Sequence, residues 1–229
     1  MKIYSLTDKG LSRKDNQDNY WSAILSVNDE EAGVVCICDG MGGLNNGRLA
    51  SKMVVEAVRN YLLTNFDFSG LTDVLDKVNN EILSLSNGVK EKLMGTTCTL
   101  LVCYKGCYKI LHIGDSRAYM LRNNIPTLLT VDHSAVKMYN ISKKDNPQLW
   151  NKYKSKLTKC IGVKPILEPY YCEGDYLKGD MFFLCSDGCW HYFDDYILNK
   201  DSINDLGVLF KKCMSNGETD NLTAGILYI

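Results

Sequence analysis

Three apolar runs of this sequence lead into an aspartate, and this feature constrains the fold more than any other. The runs end before Asp39, Asp115 and Asp187, with at most one residue between the run and the aspartate. Short apolar runs bounded by Gly, Ser and Asp are typical of buried β-strands that feed loops. The sequence therefore predicts carboxylates at the ends of sheet strands, each held rigidly with one side open to solvent.

The rest of the chain combines hairpin-like strand pairs with blocks of helical periodicity. Apolar residues recur at helical spacing over 49–62 and 71–82, which predicts two amphipathic helices. Further helical patterns cover 192–198 and 203–214, and strands are predicted at 2–7, 18–27, 33–38, 97–104, 107–113, 117–122, 125–130, 170–176, 180–185 and 222–229. Strands in hairpins and helices in blocks favour an α+β fold over an alternating βαβ one.

Length and charge limit the classes of protein that this chain can represent. Its 229 residues predict one domain covering 1–229. With 26 basic and 27 acidic side chains, the net charge of −1 argues against a nucleic-acid-binding surface. No apolar run reaches the roughly 18 residues that a membrane helix needs. The first residues lack the apolar stretch of a signal peptide, so a cytoplasmic protein without membrane contact is expected.

The ten cysteines contain no Cys-x-x-Cys pair, and several lie inside apolar strand-like runs. In a chain of this size they are interpreted as small buried hydrophobes in a reducing cytosol. Zinc is the weaker alternative, because three histidines and no paired thiols offer a poor ligand set.

Five short motifs place an aspartate beside Gly or Asn at the edge of a loop. They are residues 13–18 (RKDNQD), 39–43 (DGMGG), 114–117 (GDSR), 186–188 (SDG) and 219–221 (TDN). Any one of them could be an ordinary turn, because Asp and Gly favour turns after strands. The glycines that follow Asp39, however, let the backbone approach a ligand closely, which a turn does not require.

Carboxylates without supporting histidines are the ligands that Mg²⁺ and Mn²⁺ prefer. An arginine beside them could hold a phosphate by two hydrogen bonds, and Arg13, Arg117 and Arg122 are the candidates. The sequence lacks the phosphate loop of cysteine phosphatases, an Asp-x-Asp nucleophile motif, a Walker A loop and a Gly-x-Ser-x-Gly elbow. Together these features favour hydrolysis of a phosphate ester by a metal-activated water.

In order and spacing, the five motifs resemble those of the metal-dependent protein Ser/Thr phosphatases of the type 2C (PPM) family, in its small bacterial form. Residues 95–97 (GTT) and 132–134 (DHS) add to the series, which runs from residue 13 to 223. The resemblance implies a β-sandwich of two antiparallel sheets flanked by helix pairs. It also implies a metal centre at one end of the sandwich, beside a flap at about 131–163.

The resemblance further implies a two-ion centre that holds Mn²⁺ or Mg²⁺. Asp39 would bridge the two ions, and Gly40 would offer its carbonyl oxygen to one of them. Asp187 and Asp220 would complete the ligands of the first ion.

Three more roles follow from the resemblance alone. Asp18 would contact a metal-bound water, and Arg13 would bind the substrate phosphate. Asp115 would belong to a third, weaker ion.

Three positions depart from the family pattern. Gln17 replaces a common Glu, and Met41 replaces the histidine of animal-type members, so no histidine acid is present there. His191 stands where many relatives have an Asp linked to the third ion, which puts that ion in doubt; Asp194 and Asp195 lie near it in sequence. His191 is interpreted as a surface residue or a supporting one rather than a ligand.

The expected function is that of a monomeric phosphatase acting on phosphorylated proteins, namely a Ser/Thr kinase and its substrates. The alternative is an inactive relative that binds phosphoproteins, with His191 as the feature in its favour. A phosphorylated anti-sigma-antagonist protein or a small phosphate ester remains open as substrate. Lysines 152, 154, 156 and 159 lie in the flap, either as a solvated loop or as a surface that attracts phosphorylated segments. Arg117 is predicted to fix the Asp115 loop by an ion pair.

Overall fold

The computed structural model describes residues 1–42, 46–86, 93–193 and 198–229. The strands are β1 (Lys2–Asp8), β2 (Asn19–Val27), β3 (Glu30–Cys38), β4 (Gly40–Gly42), β5 (Met94–Thr96), β6 (Cys98–Tyr104), β7 (Cys107–Ile113), β8 (Arg117–Arg122), β9 (Ile125–Leu128), β10 (Tyr170–Asp175), β11 (Met181–Cys185) and β12 (Leu222–Tyr228). The helices are α1 (Asn46–Thr64), α2 (Leu71–Ser86), α3 (Ala135–Met138), α4 (Pro147–Tyr153), α5 (Asp187–Phe193), α6 (Lys200–Ile203) and α7 (Leu206–Ser215).

Ten of these strands form two antiparallel five-stranded sheets. One sheet has the order β1-β12-β11-β8-β9, and the other has the order β10-β7-β6-β3-β2. The short strands β4 and β5 pair separately at one end. Two antiparallel sheets with helices match the predicted α+β class, which the structure confirms.

Strand β3 shows why the chain forms layers rather than a single half-exposed sheet. All seven of its residues from Ala32 to Cys38 are buried, so both of its faces meet apolar partners. Val35 and Ile37 belong to the core between the sheets, with Phe182 and Leu184 of the other sheet. The alternate residues of β3 pack with helices α1 and α2 in a second core. A third core joins the opposite sheet to α5 and α7.

The predicted helix over 192–198 shares residues 192–193 with α5. Helix α5 begins at Asp187, only two residues after β11 ends, and residues 194–197 lie outside the described part of the chain. An acidic side chain in the first turn favours a helix start, because it faces the positive end of the helix dipole. The predicted 203–214 helix is divided into α6 and α7. Asp205 caps α7 by accepting a hydrogen bond from the N–H of Val208 at 3.0 Å.

The segment predicted as an irregular flap contains two short helices, α3 and α4. Ser134 and Asn146 cap them with side-chain oxygens. Trp150 of α4 is buried, so this basic segment packs onto the body of the protein at that point. Within the described ranges, no helix has the length and apolar character that crossing a membrane requires.

All ten cysteines are free thiols, and seven of them are buried, as expected for small hydrophobes. Although the sequence contains no Cys-x-x-Cys pair, the fold brings the sulfurs of Cys36, Cys38 and Cys98 within 4.8 Å of one another. The register between β3 and β6 places Cys38 beside Cys98, a relation that their distance in sequence conceals.

Candidate metal centre

Asp39 lies in the single-residue gap between β3 and β4, and backbone contacts fix its position. Its N–H donates to the Thr97 hydroxyl at 2.8 Å, while its carbonyl accepts from the Thr97 N–H at 2.9 Å. The Thr96 hydroxyl donates to the same carbonyl at 2.9 Å. The carboxylate is therefore held at one end of the sandwich, as the sequence predicts.

A cavity of about 190 Å³ at this end brings together most of the predicted site residues. Its lining comprises Arg13, Gln17, Asp39, Gly40, Met41, Thr97, Asp115, Ser155, Leu157, Asp187, Asp220 and Asn221. Four carboxylates and the Gly40 backbone thus converge from four separate parts of the chain. The Gly43 end of the 39–43 motif lies outside the described residues.

Asp18 is placed behind this cavity rather than in its lining. Its carboxyl is buried, and Oδ2 accepts a hydrogen bond from the Ser186 hydroxyl at 2.9 Å. Because Ser186 directly precedes Asp187, this hydrogen bond links Asp18 to the segment after β11 that carries the Asp187 carboxylate.

Burial and mutual repulsion make these carboxylates hard to ionise without a cation. Burial is the main cause that raises the pKa of Asp39 and Asp115 well above the usual value, and the neighbouring carboxylates add to it. The same causes raise the pKa of Asp18 to about 7 and also raise that of Asp187.

The donor set fits a hard divalent cation. Asp18 Oδ1 and Asp187 Oδ1 are buried, and neither has a hydrogen-bond partner among the described residues. An all-oxygen site of carboxylates and a carbonyl suits Mg²⁺ or Mn²⁺, whose charge would offset the cost of burying several anions.

Comparison with known proteins decides the family. A family model described as protein phosphatase 2C matches residues 9–224. The chain belongs to the protein phosphatase 2C family. The serine/threonine phosphatase stp of Listeria welshimeri is 30% identical to it over 235 residues, covering 95% of this chain and 91% of that protein.

Solved structures of this family share the fold. The Ser/Thr phosphatase of S. agalactiae superposes with a TM-score of 0.82 at 25% identity, covering 100% of this chain and 99% of that one. The catalytic domain of the phosphatase PstP, solved in complex with two manganese ions, has a TM-score of 0.78 at 23% identity. That comparison covers 98% of this chain and 96% of the other, and it supports the fold of this family member.

Arg13 lies at the rim of the cavity with its guanidinium engaged by Asp220. Nε donates to Oδ1 at 2.7 Å and Nη2 to Oδ2 at 2.5 Å. The hydrogen bonds to Asp220 are the main reason that the pKa of Arg13 is raised. The Arg13 guanidinium, which the family resemblance assigns to the substrate phosphate, therefore binds the Asp220 carboxylate in this structure. A carboxylate and a phosphate offer it a similar pair of oxygen acceptors.

Glu218 is the residue of this region that the sequence reasoning missed. Its Oε1 accepts from the N–H groups of Thr219 at 2.8 Å and of Asp220 at 3.0 Å. Its Oε2 lies 3.2 Å from Nδ1 of His191. Although burial opposes the shift, the His191 hydrogen bond and these N–H groups lower the pKa of Glu218 to about 2. The only sequence signal is an acidic residue two positions before Asp220.

His191 is therefore not a surface residue, and its surface interpretation is wrong. It is 9% exposed and lies between two indole rings, with ring-centre distances of 4.3 Å to Trp190 and 5.5 Å to Trp150. Through Glu218 it supports the loop that carries Asp220. The supporting interpretation thus fits the contacts that the structure shows.

Arg117 forms the ion pair that the sequence predicts beside the Asp115 loop. Its guanidinium pairs with Asp132 at 2.7 Å and stacks on the ring of Trp190 at 3.5 Å. The indole N–H of Trp190 donates to the Asp115 carbonyl at 2.8 Å. The Trp190 contact supports the backbone of Asp115. Burial raises the pKa of its carboxyl, and the nearby charge of Arg117 acts in the opposite direction.

We expect the metal-free protein to lose stability as the pH rises from about 6.5 to about 8. A carboxyl with a pKa raised by folding stabilises the folded state at low pH and loses that contribution as pH rises through the folded pKa, about 7 for Asp18. His112 and His133 have lowered pKa values, so their titration changes the stability of the fold only below the ordinary histidine pKa of about 6.5. They therefore alter the stability little in this window.

Thermal unfolding in EDTA at several pH values measures this slope. Asp18→Asn should flatten it, because the amide does not titrate. A melting temperature of the metal-free wild type that rises with pH over the same window would contradict the prediction.

Proposed function

We propose that this chain is a protein Ser/Thr phosphatase that hydrolyses phosphoserine and phosphothreonine at a two-ion Mn²⁺ or Mg²⁺ centre. The observation that carries the proposal is the convergence of Asp39, Asp115, Asp187 and Asp220 on one small cavity with Arg13 at its rim. The names of its relatives and the manganese ions of PstP support the same assignment.

In this proposal Asp39, Asp187 and Asp220 would hold the two ions with the carbonyl of Gly40, and Asp115 would serve a third. When bound, paired ions lower the pKa of water and offset charge during in-line attack on phosphorus. The buried carboxylates supply the negative charge that retains such ions, and the rigid strand ends keep their spacing fixed.

Asp18 and Arg13 would act on the reacting groups themselves. The buried Oδ1 of Asp18 has no hydrogen-bond partner in the part of the chain that the structure describes, so it can orient the attacking water by accepting a hydrogen bond from it. Arg13 would exchange its Asp220 contact for the phosphoryl oxygens, which match the same two-pronged geometry. Met41 cannot donate a proton, so solvent would protonate the leaving alkoxide.

The biological setting follows from the same chemistry. We propose that residues 1–229 form one catalytic domain with a flap at about 131–163, acting in the cytoplasm as a monomer. Its partners would be phosphorylated proteins, among them a Ser/Thr kinase and the substrates of that kinase. The binding-module alternative loses its one supporting feature, because His191 has a supporting role in the Asp220 loop.

The direct test is the initial rate on a phosphothreonine peptide with Mn²⁺, with Mg²⁺ and with EDTA. Turnover in both metal solutions and its loss in EDTA are expected, and p-nitrophenyl phosphate serves as a small-ester comparison. Folded protein that binds Mn²⁺ but hydrolyses neither substrate would overturn the proposal and favour a binding role.

A further inference from the structure

A second, larger groove lies beside the cavity that holds the carboxylates. Its volume is about 820 Å³, and its lining includes Met138, Leu157, Val163, Pro165, Ile166 and Leu167. Leu157 lines both the groove and the carboxylate cavity. The groove and the carboxylate cavity are therefore adjacent, and a chain with one side chain in the cavity can extend toward the groove.

The groove presents to solvent apolar side chains that belong to none of the three cores described above. Ile166 is 77% exposed, Met138 is 68% exposed and Val163 is 40% exposed. Grouped exposed apolar side chains that share a concave surface mark binding sites more often than scattered ones do. These three come from two separate segments, so the folded structure creates the grouping.

The wall of the groove is held rigidly rather than left as an open loop. Asn79 of α2 is fully buried, and its Oδ1 accepts from the Gly162 N–H at 2.7 Å. Its Nδ2 donates to the Lys164 carbonyl at 2.9 Å. Thr96 and Ile161 add two backbone hydrogen bonds at 3.0 and 2.9 Å. A wall fixed in this way lowers the entropy lost when a ligand binds.

The charged side chains in the lining of the groove are Lys159, Lys164 and Glu168, and the others named above are apolar. Lys159 pairs with Glu168 at 2.8 Å, so much of its charge is offset within the rim. Lys152, Lys154 and Lys156, in contrast, lie on the preceding segment outside the groove lining and would attract the phosphate rather than the flanking residues. The groove thus recognises side chains chiefly by their apolar area.

We propose that this groove binds the polypeptide segment next to the phosphorylated residue, and that the chain selects phosphoproteins with large apolar side chains there. The inference rests on the proposed function and deepens it, since it names the class of substrate. The occupant is argued from continuity, because Leu157 lines both spaces and a chain that leaves the cavity on that side meets the groove.

The test compares three substrates for the wild type and Ile166→Ser. The substrates are a phosphothreonine peptide with Leu and Ile flanks, the same peptide with Gly and Ser flanks, and p-nitrophenyl phosphate. The wild type should prefer the apolar peptide by about tenfold in kcat/KM, the scale of one or two methylene contacts in an apolar pocket. Ile166→Ser should remove most of that preference and leave the small-ester rate unchanged.

Ile125→Ser is the matched control, because Ile125 is also exposed, at 68%, but lies on β9 away from the groove. Equal kcat/KM for both peptides in an enzyme that hydrolyses the small ester would overturn the inference alone. Absence of metal-dependent turnover on all three substrates would overturn the proposed function. In that case calorimetric binding of the two peptides to the wild type and Ile166→Ser still decides the role of the groove.

Discussion

Asp39→Asn is expected to reduce kcat/KM by about 10³-fold or more on both phosphopeptides and small esters. Asp39 is the one carboxylate proposed to contact both ions, so the amide removes a negative charge from each. Ion stabilisation of the transition state is worth several kcal/mol, and each 1.4 kcal/mol changes the rate tenfold. Initial rates over a range of Mn²⁺ concentrations measure the loss.

The same variant should fold at least as well as the wild type when metal is absent. The pKa of Asp39 is raised well above its usual value, chiefly by burial and then by the nearby carboxylates, so its charge opposes folding. The neutral amide removes that repulsion. In the wild type, Mn²⁺ should raise the melting temperature by mass action, and Asp39→Asn should lose much of that rise.

Asp29→Asn gives a matched control for this experiment. Asp29 is exposed in the turn before β3, where its φ of 63° is one that Asn also adopts readily. The Asp29→Asn variant should keep the wild-type activity and the rise in melting temperature that Mn²⁺ causes. If Asp39→Asn retained activity within about tenfold of the wild type, the bridging role of Asp39 would be wrong.

The sequence predicts the strand ends and the carboxylates well because both depend on local patterns. An apolar run followed by Asp39 or Asp115 carries its own signal, and the family motifs add their order along the chain. The early start of α5 was missed because Asp187 and Gly188 are also typical of a turn. Only the packing of Trp190 and Cys189 into the core with α7 distinguishes the helix.

Interactions between distant segments explain the rest of the differences. Glu218 and His191 are 27 residues apart, and the thiol group depends on the register between two strands. Neither relation has a local pattern from which it could be inferred. The buried His191 illustrates this, since its sequence neighbours indicate only that it departs from the family motif.

Glu218→Ala is expected to weaken Mn²⁺ binding by about 10- to 100-fold, the usual effect of losing a group that orients a metal ligand. Oε1 of Glu218 accepts hydrogen bonds from the N–H groups of Thr219 and Asp220, and Oε2 contacts Nδ1 of His191. Without this carboxylate, the two N–H groups of the backbone that carries Asp220 lose their shared acceptor, Oε1 of Glu218. The activity should therefore require more Mn²⁺ for half of its maximum.

The division between metal affinity and kcat separates this positioning role from a general loss of structure. At saturating Mn²⁺ the ion itself draws Asp220 into place, so kcat should recover toward the wild-type value. Glu218→Gln keeps one oxygen acceptor for the two N–H groups and should bind Mn²⁺ with intermediate affinity, as measured by calorimetry. A kcat that stays low at saturating Mn²⁺, in a folded protein with unchanged Mn²⁺ affinity, would contradict the role assigned to Glu218. It would instead mean that His191 and Glu218 act on the substrate, because the metal site would then be intact without them.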